Sequence, residues 1–112
     1  MSPITTHILD THRGCPAQDV PIQLFRIIDG QSQLLAQGRT DDDGRIKDLL
    51  APGTLESGTY QMRFDTGAYH AALGITGFYP EAVITFTIGA TDEHYHIPLL
   101  LSPFAYSTYR GS

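Results

Sequence analysis

Three histidines and an arginine stand where their chemistry could be combined. His94 and His96 are two residues apart in Glu93-His94-Tyr95-His96-Ile97-Pro98-Leu99-Leu100-Leu101, and His7 lies within Ile4-Thr5-Thr6-His7-Ile8-Leu9-Asp10. The chain closes on Tyr109-Arg110-Gly111-Ser112. On a strand successive side chains alternate between faces, so His94, His96 and Pro98 share one face while Tyr95, Ile97, Leu99 and Leu101 take the other. The apolar set belongs to a core. The histidines then look away from it, towards water or another subunit, and a neutral imidazole on a rigid strand suits acid/base work near neutral pH. Arg45 leaves the turn Thr40-Asp41-Asp42-Asp43-Gly44 at the start of a short strand, where its guanidinium is aimed with little freedom. A positive charge beside an imidazole disfavours imidazolium and keeps a base available. Taken singly, a strand histidine is more often a hydrogen-bonded structural residue and a surface arginine is more often solvated. Only their convergence would make a site.

The elements that must bring these residues together read as short strands. Residues 4 to 10 form a first strand with His7 in its middle, and Arg13 to Ala17 a turn, because Gly14 and Pro16 break the ladder. Val20 to Ile28 puts Ile22, Leu24 and Ile28 on one face and Phe25 and Ile27 on the other, so its outer face is expected to be covered too. Asp29-Gly30 is a two-residue hairpin signal, with Leu34 to Thr40 as the returning strand. The acids at 41 to 43 lack the alternating ligand spacing and late glutamate of a calcium loop and read as turn chemistry. Gly58 to Asp65 alternates cleanly, with Tyr60, Met62 and Phe64 inward. Gly67 to Gly74 is the one helix candidate, with His70 expected on its exposed side. Ala82 to Ile88, the histidine strand and Phe104 to Tyr109 complete seven or eight strands, the pattern of an antiparallel β-sandwich.

A chain of 112 residues fits one domain, here residues 1–112, and buries a core without staples. A net charge of −5 with only seven Lys and Arg lacks the clustered positive charge that nucleic acid or an anionic membrane surface requires. Cys15 is the only cysteine, so no intrachain disulfide exists and a reducing compartment is expected. The start, Met1-Ser2-Pro3-Ile4, lacks the charged and apolar regions of a signal peptide, which leads to the expectation of a soluble, cytoplasmic protein.

The ending His94 to Pro103, the terminal Tyr109-Arg110-Gly111-Ser112 and Thr6-His7-Ile8-Leu9-Asp10-Thr11 resemble the transthyretin-related 5-hydroxyisourate hydrolases of purine breakdown, over the whole chain. The resemblance implies an all-β, transthyretin-like antiparallel sandwich of two four-stranded sheets with one short helix. It also implies a homotetramer, a dimer of dimers with sites at the subunit interface. The implied reaction is hydrolytic opening of the six-membered ring of 5-hydroxyisourate to 2-oxo-4-hydroxy-4-carboxy-5-ureidoimidazoline, without cofactor or metal. His7, Arg45 and His96 would be catalytic. His7, Arg45, Tyr109, Arg110, Gly111 and Ser112 would bind substrate. Two further readings stay open. His94 and His96 on one strand face, with His7, could bind zinc, against which stands the neighbouring Arg45. A carrier of the same fold would bind a hydrophobic ligand between subunits, but animal hormone carriers of this fold lack the closing tetrapeptide and the histidines.

Overall fold

The computed structural model describes residues 2–112. The first strand, β1, is Ile4–Asp10, and a two-residue β2, Cys15–Pro16, returns along it within the segment expected to be only a turn. β3 spans Pro21–Ile28 and β4 Gln31–Arg39. Between them Asp29 and Gly30 both have positive φ, 51° and 75°, as the tightest hairpin turn demands. β5, Arg45–Ile46, and β6, Gly58–Phe64, precede the helix α1, Thr66–Ala72. Asp65 caps that helix by accepting the Ala68 N–H. β7, Ala82–Ile88, β8, Tyr95–Ser102, and β9, Ala105–Thr108, follow.

The strands form two sheets. One runs β4-β3-β6-β7, antiparallel throughout. The other runs β2-β1-β8-β9, with β5 also paired to β1. β2 meets β1 at Leu9 and Asp10, and β5 meets it at Thr6 and His7, so the two short strands share one edge. The sheet is thus four positions wide but has five strands, where two four-stranded sheets were expected. A second departure is the β1–β8 pairing, which is parallel from Ile4↔Tyr95 to Asp10↔Leu101. Parallel neighbours need a long crossover, and here the whole second sheet lies between them in sequence.

The core fills the space between the sheets. Ile4, Ile8, Leu99 and Leu101 from one sheet meet Ile22, Leu24, Met62 and Phe64 from the other, all at 2 % exposure or less. The alternation that buries these residues turns Thr5 and His7 of β1 and His96 of β8 outward, where each is half-buried. Burying Ile4, Ile8 and Leu99 stabilises the fold by about 2 kcal/mol each, before chain entropy is counted. On the outer face of the second sheet Phe25 is covered by the Arg63 guanidinium, 4.8 Å from its ring centre.

His70 departs from expectation: it is 2 % exposed. The loop after the helix folds back over it, tied by Ile75 N–H to the His70 carbonyl and by Phe78 N–H to the Pro103 carbonyl. Gly77 then sits against the imidazole, where a Cβ would lie 3.0 Å from Nδ1. Neither ring nitrogen of His70 has a hydrogen-bond partner among the described residues. Beside it the Tyr69 hydroxyl donates to the buried Asp10 carboxylate at 2.6 Å. The other oxygen of Asp10 accepts the His12 and Arg13 N–H groups and so holds the end of β1.

Candidate active site

The outer face of the first sheet assembles the cationic and imidazole side chains by register alone. Thr5 on β1 lies beside His96 on β8, and His7, two residues on, lies directly opposite Arg45 on β5. Pairing of this kind brings side chains on one face within about 5 Å at their Cβ atoms. Arg45 is held by the turn before it. The Asp41 carboxylate accepts the N–H groups of Asp43 and Arg45, and the Asp41 N–H donates to the Arg45 carbonyl. The Gly44 carbonyl accepts the Ile8 N–H at 2.8 Å, which fastens the turn to β1. Gly44 has φ +75°, and a Cβ there would press on the Ile8 carbonyl, so the turn needs glycine.

The end of the chain closes the same site. Gly111 N–H donates to the His96 carbonyl at 2.9 Å, an isolated antiparallel bridge. An added Cβ at Gly111 would fall 2.5 Å from His96 Cδ2, so the chain approaches the imidazole this closely only because residue 111 is glycine. A cleft of about 460 Å³ results, lined by Thr5, Arg45, Ile46, Lys47, His94, His96 and Ser112 among others. His7 flanks it beside Arg45.

Burial and then the Arg45 charge hold the His7 imidazole below the ordinary histidine range, against the Asp43 carbonyl and the charges of Asp43 and Asp41, which act the other way. His96 is lowered for the same two reasons in the same order, with smaller contributions from His94 and His7. Both rings are therefore neutral at neutral pH and able to take a proton.

Tyr109 and Arg110 do not line the cleft. Tyr109 is 59 % exposed and borders a second groove with Ile84, Phe86, Tyr95 and Ile97, which shares His96 with the cleft. Arg110 stacks over the Tyr95 ring at 4.5 Å and pairs with Glu93 at 3.0 Å. The cleft thus gathers Arg45, His96 and Ser112, with His7 and Gly111 alongside, while Tyr109 and Arg110 line the adjoining groove that shares His96 with it. It also contains Thr5 and Lys47, which sequence reasoning did not select. Each sits two residues from a selected one, Thr5 before His7 and Lys47 after Arg45, so strand alternation could have found both.

His94 Nε2 and His96 Nδ1 both approach the Thr5 hydroxyl, at 2.9 Å each. Among the described residues the grouping of three or more donors is Asp41, Asp42 and Asp43, and the Asp41 carboxylate in it is already engaged by the turn.

The model of the HIUase/Transthyretin family matches residues 4–111. A 5-hydroxyisourate hydrolase from Pseudomonas aeruginosa is 41% identical over an alignment covering 100% of this chain and 93% of that one. The 5-hydroxyisourate hydrolase of Mus musculus is 44% identical, covering 99% and 96%. Among solved structures, transthyretin from Sparus aurata superposes with a TM-score of 0.94 at 34% identity, covering 99% of this chain and 97% of that one. (S)-allantoin synthase does so at 0.88 and 38%, over 97% of this chain and 43% of the other. Agreement with the family model and with full-length relatives places the chain within one group: it belongs to the HIUase/Transthyretin family.

Proposed function

We propose that this protein is a hydrolase that opens the six-membered ring of 5-hydroxyisourate, giving 2-oxo-4-hydroxy-4-carboxy-5-ureidoimidazoline. The observation that carries the reading is the juxtaposition of the lowered imidazoles of His7 and His96 with Arg45 and the Gly111-Ser112 terminus on one sheet face. The full-length relatives named as 5-hydroxyisourate hydrolases supply the substrate.

Cleavage of a cyclic amide needs an activated water, a place for negative charge on the carbonyl oxygen, and a proton for the departing nitrogen. His7 and His96 share the first and third tasks. One takes a proton from water as its oxygen bonds to the carbonyl carbon. When the C–N bond breaks, the leaving nitrogen takes up a proton and the ring opens. Arg45, fixed by its turn, stabilises the oxyanion or the anionic substrate. Ser112 holds the end of the chain in the cleft, and is no acyl-enzyme nucleophile, because no strained strand-to-helix turn presents it. Tyr109 and Arg110 serve the site of a neighbouring subunit in a homotetramer, a dimer of dimers, in which the open side of the cleft faces another copy. The exposed aromatic rings of Phe104, Tyr106 and Tyr109 beside the terminus are consistent with such contacts. Neither a metal nor an organic cofactor takes part, and the protein works in the cytoplasm.

The test is spectroscopic. Fresh 5-hydroxyisourate, generated by urate oxidase, should lose its ultraviolet absorbance faster in the presence of the protein, and His96→Gln should lower kcat by about 100-fold or more. Decay no faster than the spontaneous rate would end this reading.

A further inference from the structure

Thr5 joins two histidines through a single oxygen. Its hydroxyl lies 2.9 Å from Nε2 of the exposed His94 and 2.9 Å from Nδ1 of the half-buried His96. A hydroxyl has one proton and two lone pairs, so it can accept from both rings, or donate to one while it accepts from the other. Two polarities use the hydroxyl proton between the rings. In the first, His94 Nε2–H donates to Thr5, Thr5 donates to His96 Nδ1, and neutral His96 carries its proton on Nε2. In the second, Thr5 donates to His94 Nε2 and accepts from His96 Nδ1–H, which leaves the lone pair of His96 on Nε2.

The opposite edge of the His96 ring is closed as well. Cδ2 packs against Gly111 so tightly that a Cβ there would come within 2.5 Å. With Nδ1 engaged and Cδ2 covered, the edge bearing Nε2 is the one left to work. Which tautomer His96 adopts therefore decides whether that edge offers a base or a donor.

We infer that Thr5 holds His96 in the Nδ1-protonated tautomer: its hydroxyl accepts from His96 Nδ1–H and donates to His94 Nε2, which frees Nε2 of His96 as a base. Thr5 is a positioning residue, acting through His96. The inference deepens the hydrolase reading and rests on it for its consequence in catalysis. The other charged and titratable groups facing this pair are His7 on β1, Arg45, Lys47 and Asp48 at β5, and the Ser112 terminus. Burial, then Arg45, His94 and His7, disfavour charge on His96, so its neutral tautomer can be read.

The experiment follows the histidine ring nitrogens of the ¹⁵N-labelled full-length protein by long-range proton–nitrogen correlation at about pH 8. In the parent protein and in Thr5→Ser, His96 should be mainly Nδ1-protonated. In Thr5→Val, nearly isosteric on this outward face, the ratio should move towards the Nε2-protonated form. Thr5→Val should also lower kcat with 5-hydroxyisourate by about 10-fold, with KM little changed and Thr5→Ser restoring the rate. A His96 tautomer that is the same in Thr5→Val as in the parent would overturn the inference. If the tautomer follows Thr5 but turnover does not, the inference stands and the general-base role of His96 falls.

Discussion

Gly111→Ala tests the site with the smallest possible change. The new Cβ would lie 2.5 Å from His96 Cδ2, 3.2 Å from Cγ and 3.3 Å from Cβ. Carbon atoms rest at about 3.5–4.0 Å, so the ring or the terminus must retreat by about 1 Å. The ring cannot move far without leaving the Thr5 hydroxyl, and the terminus cannot without stretching its 2.9 Å bond to the His96 carbonyl. A misplacement of about 1 Å costs on the order of 100-fold in rate, equivalent to about 2.7 kcal/mol of barrier. Stability should barely change. Gly111 is not among the glycines with positive φ and lies outside the buried core, so the substitution carries no backbone strain and the midpoint of thermal unfolding should move by less than about 4 °C. Gly89→Ala is the control: its Cβ would meet nothing within 4 Å and its φ is not left-handed. The assay is the initial rate of 5-hydroxyisourate decay over a range of substrate concentrations, with circular dichroism to confirm the fold. A Gly111→Ala protein that is folded and within about threefold of the parent rate would refute the claim that the terminus and His96 form one catalytic unit.

Further outcomes follow from charge and burial. Removing Arg45 removes a cause of the low pKa of both His7 and His96, so Arg45→Gln should shift the acid limb of kcat/KM to higher pH as well as lower its plateau. An unmoved limb would show that neither ring controls it. For His70, burial places the folded-state pKa below the unfolded value of about 6.5. The unfolded chain then binds more protons, so stability is complete above about pH 6.5 and declines as pH falls towards the folded pKa. His70→Phe should therefore flatten the dependence of Tm on pH below about 6.5 relative to the parent, and an unchanged slope would remove His70 as its source. Residues appended after Ser112, which lines the cleft, should cut activity by about 10-fold or more at unchanged Tm. Full activity with a bulky extension would contradict a terminus seated in the site.

Period-2 alternation found the longer strands and most of their inner faces, though it missed β2 and placed Ile28 with Ile22 and Leu24, whereas a register shift between Leu24 and Phe25 leaves Ile28 44 % exposed. Ile4 and Ile8 go inward and His7 outward because a pleat leaves no other choice once a core must be buried. Asp29-Gly30 fixed the hairpin for a similarly local reason, the positive φ that both residues adopt. The terminal tetrapeptide and the histidine pair were also visible in one dimension, and with them the family. What no local rule contained was adjacency. The parallel pairing of β1 with β8 sets Thr5 beside His96, residues 91 apart in the chain, and that register comes from matching two apolar faces across the whole domain. The same holds for the loop that buries His70 and for the close approach of Gly111 to the imidazole. The placing of Arg110 in the adjoining groove likewise depends on its contacts with Glu93 and Tyr95. Alternation tells a side chain which way to point, and only the packed sheets determine what it meets there.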